Sequence, residues 1–220
     1  MSLVLKLASN TWENASRDKR ELSVFRELGY DVLVMAKGKP EDKGRVEEID
    51  GYRVMRYSTR PLGGRVPAQI NRFFSLFTWT SYVRKLKPDV ISAHDLMPCL
   101  IIAWLSTWFQ RKKPKLIYDS HEFELGRNTG GRRGKIATFM IGKTEKFLMK
   151  RCVLSIMVND SIADEMQRIH KLKERPLVIR NVPEYWTIDP EVCKQTRQEL
   201  MNGIKIGGHQ LSGNVSWRRH

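Results

Sequence analysis

Short apolar runs alternate along this chain with longer segments whose apolar residues recur at helical spacing. Leu3–Ala8 reads as a first strand and Asn10–Asn14 as a loop. Ser16 caps a helix with Leu22, Phe25 and Leu28 on one face, and Gly29 stops it. Tyr30–Ala36 has the unbroken apolar character of a strand buried on both sides. A charged loop, Lys37–Glu48, precedes a third, more exposed strand over Gly51–Tyr57, with Tyr52, Val54 and Tyr57 inward. Gly63–Pro67 links it to a helix over Ala68–Leu86, which Pro88 closes. The rhythm continues with strand Val90–Leu96, helix Pro98–Gln110, a strand from Leu116, helix Lys135–Arg151, strand Val153–Val158, helix Ser161–His170 and strand Leu177–Arg180. Such alternation predicts an α/β fold, a doubly wound, mainly parallel, Rossmann-like sheet with right-handed crossovers.

After Pro183 the rhythm changes. Residues 1–183 therefore read as one α/β domain and 184–202 as a connector helix with mixed charges around Glu191–Met201. Residues 203–220, with one further strand-like stretch in Ile204–Trp217, read as the start of a second domain that is missing.

Composition narrows the partners. A net charge of +15 on 220 residues points to an anionic partner such as nucleic acid, a membrane surface or phosphorylated ligands. Cys99, Cys152 and Cys193 are far apart, which disfavours a disulfide framework or a zinc site and fits a reducing compartment. No signal peptide is visible, and the longest apolar run, Leu96–Phe109, is too short to cross a bilayer. From Arg127 to Arg151 there are eight Lys or Arg against one acid, Glu145, interleaved with Ile136, Phe139, Met140, Phe147 and Leu148 at helical spacing. A second basic stretch, Arg53–Lys87, surrounds Phe73, Phe74, Phe77 and Trp79. Basic helices with an aromatic side suit a membrane interface, and Arg132, Arg133, Lys135 and Lys143 are the membrane-facing candidates. Equally, the aromatics can be core and the bases a solvated face. Nucleic acid is not an expected partner, because no RNP-like strand, helix-turn-helix or zinc finger is present.

Two strand ends carry the candidate chemistry. Val90–Leu96 ends in His94-Asp95, and Leu116–Glu124 runs into Asp119-Ser120-His121-Glu122. Open α/β sheets bind ligands beyond the carboxyl ends of their strands, so a histidine beside a carboxylate at two such ends marks a site. Other motifs fail. Gly130–Lys135 has the wrong glycine spacing for a P-loop and Ile136 where Ser or Thr is needed, and the first strand-to-helix turn has no glycine for a dinucleotide fingerprint. No GxSxG or HExxH occurs.

Taken in order, NASRDKRELSVFRELGYDVLVMAKG, LKPDVISAHDL, LIYDSHEFE, KTEKFLMKRC, VLSIMVNDSIADEM and VIRNVP resemble the N-terminal half of a GT-B glycosyltransferase of the family 4 type. The resemblance covers roughly residues 3–200 and extends weakly to GNVSWRR near the end. It implies the acceptor-binding half of a retaining enzyme that moves sugar from a nucleotide-sugar to a glycan or lipid-linked acceptor, inactive alone because the donor domain is missing. It further implies His121 as the catalytic residue, with His94, Asp95 and Glu122 binding acceptor hydroxyls and the loop Asn10, Thr11, Trp12, Glu13 and Asn14 facing the diphosphate. The family's glycine pair is absent from that loop. No metal or resident cofactor is expected; the nucleotide-sugar is a substrate of the complete enzyme. A donor-domain polypeptide and an anionic membrane surface are further candidate partners. The alternatives are a subunit of a split transferase and a non-catalytic basic protein that binds anionic membranes. The expected location is cytoplasmic, peripheral at the inner face of the cell membrane.

Overall fold

The structure, a computed structural model, describes residues 2–13, 15–42, 44–126, 134–180, 182 and 189–203. The chain divides into two compact units, Met1–Asn181 and Val182–His220. In the first, eight strands form one sheet: β1 Leu3–Ala8, β2 Asp31–Gly38, β3 Val46–Ile49, β4 Tyr52–Ser58, β5 Val90–His94, β6 Lys115–Asp119, β7 Leu154–Met157 and β8 Leu177–Val178. Their spatial order is β3-β4-β2-β1-β5-β6-β7-β8, and every pairing is parallel except β3 with β4. The fold is α/β and Rossmann-like, as the alternation predicts.

Alternation within each strand assigns the two faces of the sheet. On β1, Leu5 and Leu7 join Met35, Ile91, Tyr118 and Met157 under a layer formed by α2 Ala68–Leu86, α3 Ile101–Ser106, α4 Lys135–Met149 and α5 Asp160–His170. Trp79, Val83, Ile102, Ala103, Leu148, Met149, Ala163 and Met166 are the helical contributions to that core. Val4 and Ala8 face the other way, into a second cluster where Leu22 of α1 Ser16–Glu27 packs with Val32, Val34, Tyr52 and Val54. Lys6 lies between Val4 and Ala8 in the period-2 pattern and so points toward α1. By the same parity Ser92, His94 and Asp119 share that side.

Two expectations are corrected. The charged stretch Lys37–Glu48 contains strand β3, antiparallel to β4 at the sheet edge, where alternating exposed and half-buried positions accommodate Glu47 and Glu48. The helix expected over Pro98–Gln110 is regular only over Ile101–Ser106. Before it lies an irregular turn, Asp95–Leu100, in which Met97 is extended ahead of Pro98, as the residue before proline prefers. In the second unit Pro190–Gly203 form a helix, α6. The strand-like stretch Ile204–Trp217 lies outside the described residues. Among the described residues no helix is long and apolar enough to cross a membrane.

Candidate functional site

A buried charge cluster lies between α1 and the carboxyl-terminal half of the sheet. Its centre is Lys6, fully buried, whose Nζ is 2.8 Å from Asp18, 2.5 Å from Glu21 and 3.0 Å from Asp119 and donates to Ser92 Oγ at 3.2 Å. Asp18 and Glu21 stand three residues apart on α1 and so present their carboxylates on one helix face. Arg17, next to Asp18 on α1, is itself buried and pairs with the other oxygen of Asp119. Desolvating each ion costs on the order of several kcal/mol, so these charges persist only as a mutually neutralising set. Burial pushes the Lys6 ammonium toward losing its proton. The carboxylates of Asp119, Glu21 and Asp18 outweigh that and raise its pKa well above the ordinary lysine value.

Two histidines complete the cluster. The rings of His94, at the end of β5, and His121, just past β6, lie with centroids 3.8 Å apart and planes tilted by 40°. His94 Nδ1 is 3.2 Å from Asp18 and its Nε2 is 3.3 Å from Asp95. His121 Nε2 is 3.1 Å from Asp119 and 3.6 Å from Asp18, and its backbone N–H donates to Asp95 Oδ1 at 2.9 Å. Asp95 reaches both partners because its backbone adopts φ +62°, a left-handed conformation that aspartate tolerates better than most residues. Burial would lower the pKa of His94, but hydrogen bonds and charge from Asp18 and Asp95 lift it to about 9. Burial opposes protonation of His121 as well. Asp119 and Asp18 prevail over it, and over the neighbouring His94, to raise that pKa too. Conversely, burial would raise the carboxyl groups of Asp18 and Asp119, yet Lys6 and the imidazoles hold both far below the usual carboxylate range. His94 is therefore cationic near neutrality, and the same carboxylates favour the cationic form of His121. With both rings protonated, Lys6, Arg17, His94 and His121 balance Asp18, Glu21, Asp95 and Asp119 one for one.

That balance bears on metal binding. Asp18, His94 and His121, and separately Asp18, Glu21 and Asp119, are each close enough to share an ion. The ammonium of Lys6 already lies within 3.0 Å of all three carboxylates of the second group, and in the first the imidazoles of His94 and His121 are paired with the carboxylates of Asp18, Asp95 and Asp119. These donors are committed to one another, which makes the cluster a poor fit for a divalent cation.

Among the expected site residues, the structure brings His94, Asp95 and His121 together. His94 is 7% exposed and both its ring nitrogens face carboxylates. The side chain of His121 is 22% exposed, and among the described residues its Nδ1 has no hydrogen-bond partner. Glu122 is exposed on the same loop. In the first loop Asn10 accepts the backbone N–H of Trp12 at 2.9 Å. The indole of Trp12 is fully buried and meets Tyr52 edge-on at 5.8 Å, so it anchors the loop to the core. Arg56 holds the loop from beneath through the Thr11 carbonyl and, at 3.0 Å, the Glu13 carboxylate. Lys135 and Lys143 are exposed on α4, away from the cluster, while Asn14, Arg132 and Arg133 lie outside the described residues.

Sequence reasoning passes over Lys6, Arg17, Asp18, Glu21 and Ser92. Lys6 was nonetheless the available signal, since a lysine inside LVLKLA must either leave the strand's buried face or find carboxylates there.

The model of the family described as Glycosyltransferase Family 4 matches residues 22–182. No curated protein matches the chain. Among solved structures, sucrose-phosphate synthase from Thermosynechococcus elongatus superposes with a TM-score of 0.59 at 15% identity, over 90% of this chain and 52% of that one. A shorter form of the same synthase gives 0.50 at 14% identity, over 91% of this chain and 98% of that one. MurG of Acinetobacter baumannii gives 0.49 at 10% identity, over 82% of this chain and 45% of that one. The chain thus spans about half the length of MurG and of the longer synthase.

Proposed function

For a chain that belongs to glycosyltransferase family 4, we propose that the domain over residues 1–181 is the acceptor-binding half of a retaining GT-B enzyme that transfers sugar from a nucleotide-sugar to a glycan or lipid-linked acceptor. The observation that carries this reading is the half-buried His121 ring, which Asp119, Asp18 and Asp95 hold beyond the carboxyl ends of β5 and β6 and whose Nδ1 has no hydrogen-bond partner among the described residues. That is where open α/β sheets take their ligands. Glycosyl transfer develops positive charge on the sugar and negative charge on the departing diphosphate. A protonated His121 is a fixed donor for a sugar hydroxyl or a leaving-group oxygen, and Asp95 and Glu122 are acceptors for acceptor hydroxyls. The donor site belongs to a second domain, in a longer form of this chain or in a partner polypeptide, so the 220-residue chain gives no turnover by itself.

A lipid-linked acceptor calls for contact with a membrane. On α4, Ile136 is 82% exposed, Phe139 60% and Met140 57%, beside Lys135 and Lys143. An exposed apolar strip with flanking lysines supports an interfacial position at an anionic bilayer. The non-catalytic alternative rests on the same strip and differs in having no chemistry at His121.

The test is transfer of labelled sugar from nucleotide-sugars to lipid and glycan extracts of the native cell, with the complete enzyme, donor domain included, as wild type and His121→Ala in a strain lacking the chain. Loss of one product, about 100–1000-fold in rate for one donor to developing charge, is the expected result. Full transfer with His121→Ala overturns the assignment.

A further inference from the structure

A second feature lies at the other end of the sheet. Between the C-terminal end of α2 and the loop after α3 is a cavity of about 630 Å³, lined by Ser81, Arg84, Lys85, Lys87, Phe109 and Arg111, with Pro88, Gln110 and Lys112 completing it. Five of its nine lining residues are cations and none is an acid. Among the described residues only Lys112 of these has a carboxylate partner, Asp89, at 2.5 Å. Pro88 and Lys112 precede β5 and β6, whereas His94 and Asp119 end them, so the cavity is remote from the histidine pair.

Helix ends explain part of this charge: Arg84 and Lys85 occupy the last turn of α2, where the helix dipole favours cations. Lys87, Arg111 and Lys112 lie beyond the helices. They leave a concave positive surface that concentrates anions. Phe109 adds a second, independent observation. Its ring is 88% exposed at φ +60°, with Arg84 5.7 Å from the centroid and Trp108, 46% exposed, beside it. The exposed face of α2 continues the apolar surface through Phe73, Phe74 and Phe77. An aromatic ring held out in water beside a basic hollow fits the boundary between headgroups and acyl chains, where the ring enters the bilayer and the guanidinium groups meet phosphate.

We infer that the cavity bounded by Arg84, Lys87 and Arg111 is a phosphate-binding site for the headgroup of an anionic phospholipid, with Phe109 inserted beside it. This inference draws on the membrane part of the proposed function and is independent of sugar transfer, so its test uses no turnover.

The experiment is co-sedimentation of the full chain with vesicles of phosphatidylcholine containing phosphatidylglycerol, and with vesicles of phosphatidylcholine alone. Three variants accompany it: R84Q/K87Q/R111Q in the cavity, K150Q/K171Q/K173Q as a charge-matched control around a second basic hollow, and F109A. All changed residues are exposed, and circular dichroism verifies folding. The cavity triple is expected to weaken binding to the anionic vesicles about a hundredfold, at about fivefold per cation near a charged surface. The control triple is expected to weaken it far less. F109A should weaken vesicle binding while leaving inorganic phosphate, titrated by NMR, bound at the cavity. Equal losses in the two triples overturn the site in favour of general charge. Binding of inorganic phosphate without binding of vesicles overturns the lipid assignment, as does equal binding to uncharged vesicles.

Discussion

His94 and His121 stack ring on ring with centroids 3.8 Å apart, although both pKa values are raised, which favours the charged form of each ring. Like charges at that distance repel, and the repulsion is offset by Asp18, whose carboxylate meets both rings and the ammonium of Lys6. The pair is thus a product of its carboxylates more than of its own stacking.

Replacing that carboxylate isolates its contribution. Asp18→Asn leaves Lys6, His94 and His121 with one negative charge too few in a buried site. A loss of about 3–5 kcal/mol is expected, the cost of breaking a buried ion pair from one side. Denaturant unfolding measures it, and a loss under about 1 kcal/mol would show that the cluster is wetter than its burial implies.

The sign of the pH dependence follows from the raised histidines. His94 has a folded pKa of about 9 against an ordinary 6.5, so its contribution is complete below about pH 6.5 and is lost as pH rises through 9. Asp18 and Asp119 are depressed, so theirs is present above the ordinary carboxylate range and is lost only in strong acid. Unfolding free energies measured from pH 6 to 10 should fall on the alkaline side for the wild type, and fall less for His94→Gln. Parallel curves for the two proteins would contradict the assignment.

Stability and chemistry should separate at the end of β6. His121→Ala removes a half-exposed ring whose partner Asp119 keeps Lys6 and Arg17, so a cost of about 1–2 kcal/mol is expected, in the range of one charged hydrogen bond. Ile117→Ala, four residues earlier in the buried strand, should cost about 2–5 kcal/mol through lost burial and a cavity. Thermal or denaturant unfolding ranks the two, and the reverse order would make His121 a structural residue.

A separate buried network ties two helices to the sheet. Glu145 on α4 accepts the Tyr118 hydroxyl at 2.8 Å and lies 3.1 Å from His170 Nε2 on α5, with all three side chains buried. Glu145→Ala orphans two buried polar groups, each worth about 1–3 kcal/mol. Hydrogen exchange should show α4 and α5 opening at lower free energy than in the wild type, while amides of β1 keep most of their protection.

The fold was legible because apolar runs and helical spacings alternate almost without interruption, and boundaries such as Leu3–Ala8 and Ala68–Leu86 follow from pattern and punctuation alone. The edge strand β3 escaped because an edge accepts the Glu47 and Glu48 that disqualify a central strand. At the site, His94, Asp95 and His121 were visible as polar residues ending apolar runs. Their dependence on Lys6, Asp18 and Glu21 was not, because strand parity and helix facing are needed to see that a lysine in β1 and two acids in α1 share one space. The burial of Trp12 was hidden for the opposite reason: a loop position suggests exposure, whereas a positive φ turns its indole into the core.

The most direct test of the account is an imidazole-resolved NMR titration of the chain with glycan and lipid-linked sugar acceptors. The account predicts that an acceptor shifts the His121 ring resonances and, through Asp18, those of His94, with Glu122→Ala weakening binding in a folded protein. Acceptor binding that leaves both rings unperturbed, or that survives Glu122→Ala unchanged, would contradict it.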